Sequence, residues 1–266
     1  MHAGKGLNPD RSGNYFGSAV HRRMAGGIGL TLSRATVAPG DLPEHGHDEA
    51  HCVLAVDAGY QSRANDDDPA ASSFAVYNPP GTEHRDRFVA TGGRFLAIDL
   101  PLDLIDQEGV PAALPSGRGK TQIMAMIGPA LEWHGHAPLM IEALALDLVA
   151  AIDRRHEASS APDWFGRAKV ALDEAASTPG GDVRFAAARC GVHPVHFARV
   201  WRRETGEAPA RSLLRRRASM AMARMQRDRA LGDIAHECGF ADQAHMSRTI
   251  RSLVGTTPRR LQQEFF

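Results

Sequence analysis

Apolar and polar positions change period once along the chain. Ile28, Leu30 and Leu32 alternate with small or polar residues, the period-two pattern of a half-buried strand. Cys52–Val56, Phe74–Tyr77 and Phe95–Ile98 are short apolar runs of buried-strand length. Turn-forming clusters separate them: Ala38-Pro39-Gly40, residues 65–69, Asn78-Pro79-Pro80-Gly81 and Gly92-Gly93. Short strands at this spacing predict a small barrel or sandwich over residues 26–100. Residues 1–25, rich in Gly, polar and basic side chains, are expected to be poorly ordered at the start.

After Pro101 the period becomes helical. Ile123, Met126 and Ile127 fall on one helix face, and Leu139, Ile141, Leu144, Leu148, Ala151 and Ile152 on another. Two helices are predicted, broken near residues 134–138, where His134 and His136 read as surface residues. The second is apolar over more than half its circumference, which fits either burial within one subunit or a dimer contact. Residues 156–163 read as a linker, and helix with Gly-containing turns resumes at Trp164.

Charge alters this picture. Lys and Arg number 31 and Asp and Glu 31, a balance that by itself points away from nucleic acid and anionic membranes. By segment, residues 165–266 hold 18 basic and 10 acidic residues, while residues 1–164 hold 13 and 21. A net +8 half follows a net −8 half. No apolar run approaches the roughly 20 residues of a membrane helix, and the first residues lack the apolar core of a secretory signal. Cys52, Cys190 and Cys238 are too few and too scattered for a disulfide framework, so a cytoplasmic setting is expected.

The basic half contains a repeat. Ala187, Cys190 and Gly191 recur 48 residues later as Ala235, Cys238 and Gly239; Arg199, Gly206 and Pro209 recur 49 residues later as Arg248, Gly255 and Pro258. Each copy reads as helix, Gly turn, helix, Gly stop and Pro, a helix-turn-helix arrangement. In the second helices, Phe197, Val200 and Trp201, or Met246, Ile250 and Leu253, form the apolar stripe. Arg199 and Arg202, or Arg248 and Arg251, lie opposite, where they suit a major groove. A strong helix from Ala210 to about Arg229 joins the copies, and its Arg215-Arg216-Arg217 run either holds phosphates or faces solvent.

Residues 165–264 resemble the AraC/XylS transcriptional regulators. The resemblance rests on DIAHECGFADQAHMSRTIRSLVGTTPRRLQ and AARCGVHPVHFARVWRRETGEAP. It implies seven helices, double-stranded DNA as partner, and two recognition helices. One carries Val195, His196 and Arg199, the other Gln243, His245 and Arg248. Arg202, Arg203, Arg215 and Arg251 are expected on phosphates. A contact with RNA polymerase is implied by the resemblance, and a homodimer is expected through the helices of residues 119–155. Ser212 stands where the family usually has Tyr, and Met246, Ile250 and Val254 replace frequent aromatics.

In the acidic half His45, His47 and His51 share parity, as does Glu49, so one extended strand would put them on one face. His84 follows the Pro79-Pro80-Gly81 turn. This spacing resembles the two motifs of the cupin barrel, whose histidines point inward. His45, His47, His51 and His84 are therefore candidates for a divalent transition metal such as Zn, and equally for a pocket holding a small polar effector. Imidazoles suit Zn, Fe, Ni or Cu better than Mg or Ca. Cys52 reads as core.

The expected fold is α+β multidomain: an N-terminal cupin-like β-barrel and a C-terminal all-α domain with two helix-turn-helix motifs. Residues 1–118 form the sensor, 119–155 a helical dimerisation region, 156–164 a linker and 165–266 the DNA-binding domain. The expected function is transcription regulation without enzymatic activity. The rival is a metal-dependent cupin oxygenase or isomerase with an accessory DNA-binding tail.

Overall fold

Short apolar strands separated by turns build two facing sheets. In the computed structural model, which describes residues 17–36, 40–42, 45–56, 60–63, 75–88, 92–105, 112–113, 118–153 and 161–264, the first sheet has six strands. These are β1 (Gly17–Ala25), β2 (Ile28–Ala35), β5 (Ala50–Ala55), β7 (Ala75–Asn78), β9 (Arg94–Leu100) and β10 (Ala112–Ala113), in the order β1-β2-β9-β5-β7-β10. The second is centred on β8 (Glu83–Phe88), which pairs with β3 (Gly40–Asp41), β4 (His45–Gly46) and β6 (Tyr60–Arg63). The turn cluster at residues 65–69 lies outside the described residues.

The first sheet is covered on both faces. Leu30, Leu32, Cys52, Leu54, Leu96 and Ile98 pack outward under helices, while Val53, Ala55, Phe95 and Ala97 face Phe88 of the second sheet. This corrects the half-buried reading of β2. Thr31 and Ser33 are also buried, because they pair with Ala97 and Phe95 and share their inward face. Residues 17–25 form β1, which pairs along β2 through the Gly26-Gly27 turn, and the start of the chain, where poor order is expected, lies outside the described residues. Both glycines have positive φ (52° and 82°), as a two-residue type I′ hairpin requires.

The helical region holds three helices rather than two: α1 (Arg118–Ala125), α2 (Ile127–Leu131) and α3 (Ala137–Asp153). Pro129 explains the extra break, since it has no N–H to donate to Ala125 and cannot continue α1. Ile141, Ala145, Leu148 and Ile152 bury one face of α3, and Leu139, Met140 and Leu146 remain exposed on another.

Seven helices follow: α4 (Phe165–Ser177), α5 (Val183–Arg189), α6 (Pro194–Thr205), α7 (Pro209–Ala223), α8 (Leu231–Glu237), α9 (Gln243–Val254) and α10 (Pro258–Glu264). The joining helix α7 stops at Ala223, six residues before its expected end. Among the described residues no helix is long and apolar enough to cross a membrane, and the three cysteines are buried thiols.

Candidate nucleic-acid interface and histidine cluster

The repeat is reproduced at the level of backbone geometry. Gly191 (φ 70°) and Gly239 (φ 71°) turn the chain out of α5 and α8, and Gly206 (φ 74°) and Gly255 (φ 78°) end α6 and α9. All four sit in the left-handed region that favours glycine. Asp182 caps α5 by accepting from Phe185 N–H at 2.9 Å, and Asp242 caps α9 by accepting from His245 N–H at 2.6 Å. His193 fills the same role for α6 through Nδ1, which accepts from Val195 N–H at 3.3 Å.

The two helix faces divide as their spacing requires. Phe197, Val200 and Trp201 are buried in α6; Met246, Ile250, Leu253 and Val254 are buried in α9. Val195, Arg199, Arg202 and Arg203 are exposed on α6, as are Gln243, Arg248 and Arg251 on α9. His196 and His245 are half-buried. Arg199 donates to His196 Nδ1 at 3.2 Å, and His245 stands edge-on to Phe240. Arg203 is paired with Glu204 at 2.6 Å.

Arg215 is the exception among the expected DNA contacts. Its side chain is only 2% exposed and is ion-paired to Glu207, with a further hydrogen bond to Thr121 Oγ1 at 3.0 Å. A phosphate cannot reach it. The rest of the arginine run is also structural: Arg216 pairs with Asp173 and lies over the Trp201 ring, and Arg217 donates to the Gly181 carbonyl at 2.7 Å. Ser212 accepts from Trp201 Nε1 at 2.9 Å and donates to Glu207, so this small residue supports a hydrogen-bond chain in the core.

Between the two sheets the histidines converge, but not along one strand. The chain bends at Asp48-Glu49, placing His45 on β4 in one sheet and His51 on β5 in the other. Parity therefore does not carry across, and Glu49 is exposed. His45 pairs directly with His84 across β4 and β8. One ring nitrogen from each of His45, His47 and His84 lies within 4.8 Å of the others. Tetrahedral nitrogen ligands on Zn sit about 3.4 Å apart, so modest side-chain movement closes the set around an ion. The donor set suits a transition metal.

His51 stands beside this trio rather than within it. Asn78 Nδ2 donates to its Nε2 at 3.0 Å, and its Nδ1 faces the Glu49 carbonyl at 3.4 Å. One tautomer, with the proton on Nδ1, satisfies both contacts. Asp86 was not predicted. It shares the inward face of β8 with His84, and its Oδ2 lies 3.4 Å from His45 Nε2 and 3.6 Å from His84 Nε2. The alternation His84-Arg85-Asp86 carries that signal in the sequence.

Burial lowers the pKa of His47 to about 4, helped by the neighbouring His84 and His45. Burial also holds His51 and His84 below the usual imidazole value. The unfolded chain takes up protons below pH 6.5 that the folded cluster refuses, so stability is complete above that pH. We expect it to decline as pH falls from 6.5 toward about 4. Urea midpoints at pH 7.5 and 5, in chelator, check this; a His47→Gln variant losing as much as the parent would remove His47 from the effect.

Residues 186–264 match the family model of a helix-turn-helix domain. The chain carries a helix-turn-helix domain of the AraC type. No curated protein matches the chain in sequence. Similar solved structures include ToxT from Vibrio cholerae O395, at 7% identity and TM-score 0.38, covering 89% of this chain and 97% of that one. Another is the same protein bound to (E)-4-(8-methylnaphthalen-1-yl)but-3-enoic acid, at 8% and 0.38, covering 90% and 99%. The AraC-type domain rests on its own matched residues, which contain α8 and α9 whole and the α6 helix of the first motif.

Proposed function

We propose that this protein is a one-component transcription regulator that reads double-stranded DNA through α6 and α9 and senses a ligand in the histidine-lined barrel. The observation that carries this reading is the duplicated, capped helix-turn-helix with outward arginines in the +8 half. Arg199, Gln243, His245 and Arg248 read base edges, with Val195 and His196 beside them; Arg202, Arg203 and Arg251 hold phosphates. The basic surplus draws the domain to DNA, and the −8 sensor half stays off the duplex.

His45, His47 and His84 hold a divalent transition metal such as Zn, with the Asp86 carboxylate beside them. A bound ion would supply a positive centre among the imidazoles and the Asp86 carboxylate. His51 orients the cavity wall through Asn78. The exposed Leu139, Met140 and Leu146 of α3 form the contact of a homodimer.

Genome-wide mapping of sites bound by the purified protein tests DNA reading and delivers a natural duplex for titration. On that duplex Arg248→Ala costs about 1–3 kcal/mol; unchanged affinity would remove Arg248 from base reading. Arg202→Ala and Arg251→Ala each flatten the salt dependence of log K by about 1. A parental slope in either variant rules that arginine out as a phosphate contact.

A further inference from the structure

The two reading motifs stand on different cores. The first is built on α4, α5, α6 and Leu213 of α7, around Leu172, Phe197 and Trp201. Among the described residues the second has no separate core. Ile234, Met246, Ile250 and Val254 belong to one apolar cluster with Ile123, Ile127 and Ile141 of the sensor helices and Leu30 and Ile98 of the barrel. The sensor half is thus part of the packing that holds α9, while α6 is carried at the far side of α7.

The contact is closest at α2. A Cβ on Gly128 would lie 2.5 Å from the Val254 carbonyl oxygen and 2.7 Å from the Gly255 carbonyl carbon, so backbone meets backbone there. One turn on, Glu132 caps the end of α2. Its Oε1 accepts from Thr256 Oγ1 at 2.6 Å, and Arg260 Nη1 lies 3.7 Å away. Thr256 is 2% exposed and follows directly on the glycine that ends α9. The same segment is tied back to the barrel. Arg23 of β1 donates from Nε to the Ala130 carbonyl at 3.0 Å and lies over the Trp133 ring. A continuous route runs from strand β1 through α2 to the C-terminal end of α9, and it leaves the outward face of α9 uncovered.

We infer that Glu132, a residue of the sensor half, is a positioning residue for DNA reading that sets the pose of α9 relative to α6. This rests on α6 and α9 being the reading helices. It makes the two half-sites unequal towards Glu132: the one read by α9 depends on it, while α6 meets the sensor half by a separate link, Thr121 to Arg215 and Glu207.

The test is hydroxyl-radical footprinting of the full-length protein on one mapped natural duplex, with Arg199→Ala and Arg248→Ala assigning the half-sites. Glu132→Ala is expected to weaken protection of the α9 half-site about tenfold relative to the α6 half-site, the loss of one charge-assisted hydrogen bond. Thr256→Val is expected to give the same shift, and the double variant no more than either single one. Glu132→Gln keeps an acceptor for Thr256 and is expected to restore most of the ratio. An unchanged ratio, or equal weakening of both half-sites, overturns the role of Glu132. If the parent protein protects no duplex, DNA reading itself falls, a distinct result.

Discussion

Replacing Glu207 with Ala is expected to lower the free energy of unfolding by about 3–5 kcal/mol, the cost of stranding a buried charge. Arg215 is fixed in the first turns of α7 with its side chain 2% exposed, and Glu207 is its counter-ion. Burial pulls the Arg215 pKa down and the Glu207 carboxylate is the main opposing influence. Without that carboxylate the guanidinium keeps, among the described residues, the Thr121 hydroxyl at 3.0 Å. Glu207 also accepts from Ser212, whose oxygen holds Trp201 Nε1 at 2.9 Å, so the loss reaches the core beneath α6. Equilibrium urea unfolding measures the effect. Glu207→Ala combined with Arg215→Met should recover most of the stability, because no unpaired cation remains. A single-variant loss below about 1 kcal/mol would mean that water already reaches Arg215.

The same pair shows where the sequence is readable and where it is not. The reading motifs were legible because their signals are local. The turns at Gly191 and Gly239 and the stops at Gly206 and Gly255 need only a left-handed residue. Burial at Phe197, Trp201, Met246 and Ile250 follows from helical period. Arg215 was misread because its fate depends on Glu207 and Thr121, the latter 94 residues away, and an arginine in a basic helix looks the same paired or solvated. Parity puts His45 and His51 on one face of a single strand, whereas they stand on different sheets of one buried histidine cluster. The bend at Asp48-Glu49 breaks the period, and two facing sheets restore the convergence. Asp86 was missed although His84 and Phe88 share its face, since a lone acidic residue in a strand reads as exposed until its covering sheet is known. The shared core of sensor and second motif has no linear signal at all: Ile123 and Ile250 are each unremarkable in their own helices.

Removing His84 should abolish stoichiometric zinc, and removing His51 should not. Protein exposed to zinc at neutral pH and then dialysed is expected to retain about one ion per chain by elemental analysis, held by His45, His47 and His84. Loading at pH 7 needs little proton release from His47, whose pKa lies at about 4. The Thr82 carbonyl lies 3.3 Å from His84 Nδ1 and fixes the proton there, which leaves Nε2 as the ligand atom. His84→Ala deletes one of three donors at the β4–β8 pair. His51→Ala removes a ring whose nitrogens are already committed to Asn78 and the Glu49 carbonyl, so the trio is left intact. Asp86→Asn keeps the shape but removes the charge beside His45 and His84, and should weaken zinc about 10–100-fold, as loss of a supporting carboxylate does. Equal loss of zinc in His51→Ala and His84→Ala would establish a four-histidine site instead. A parent protein that retains no zinc, iron, nickel or copper would assign the cavity to an organic effector, whose polar groups the same four imidazoles would then meet by hydrogen bonds.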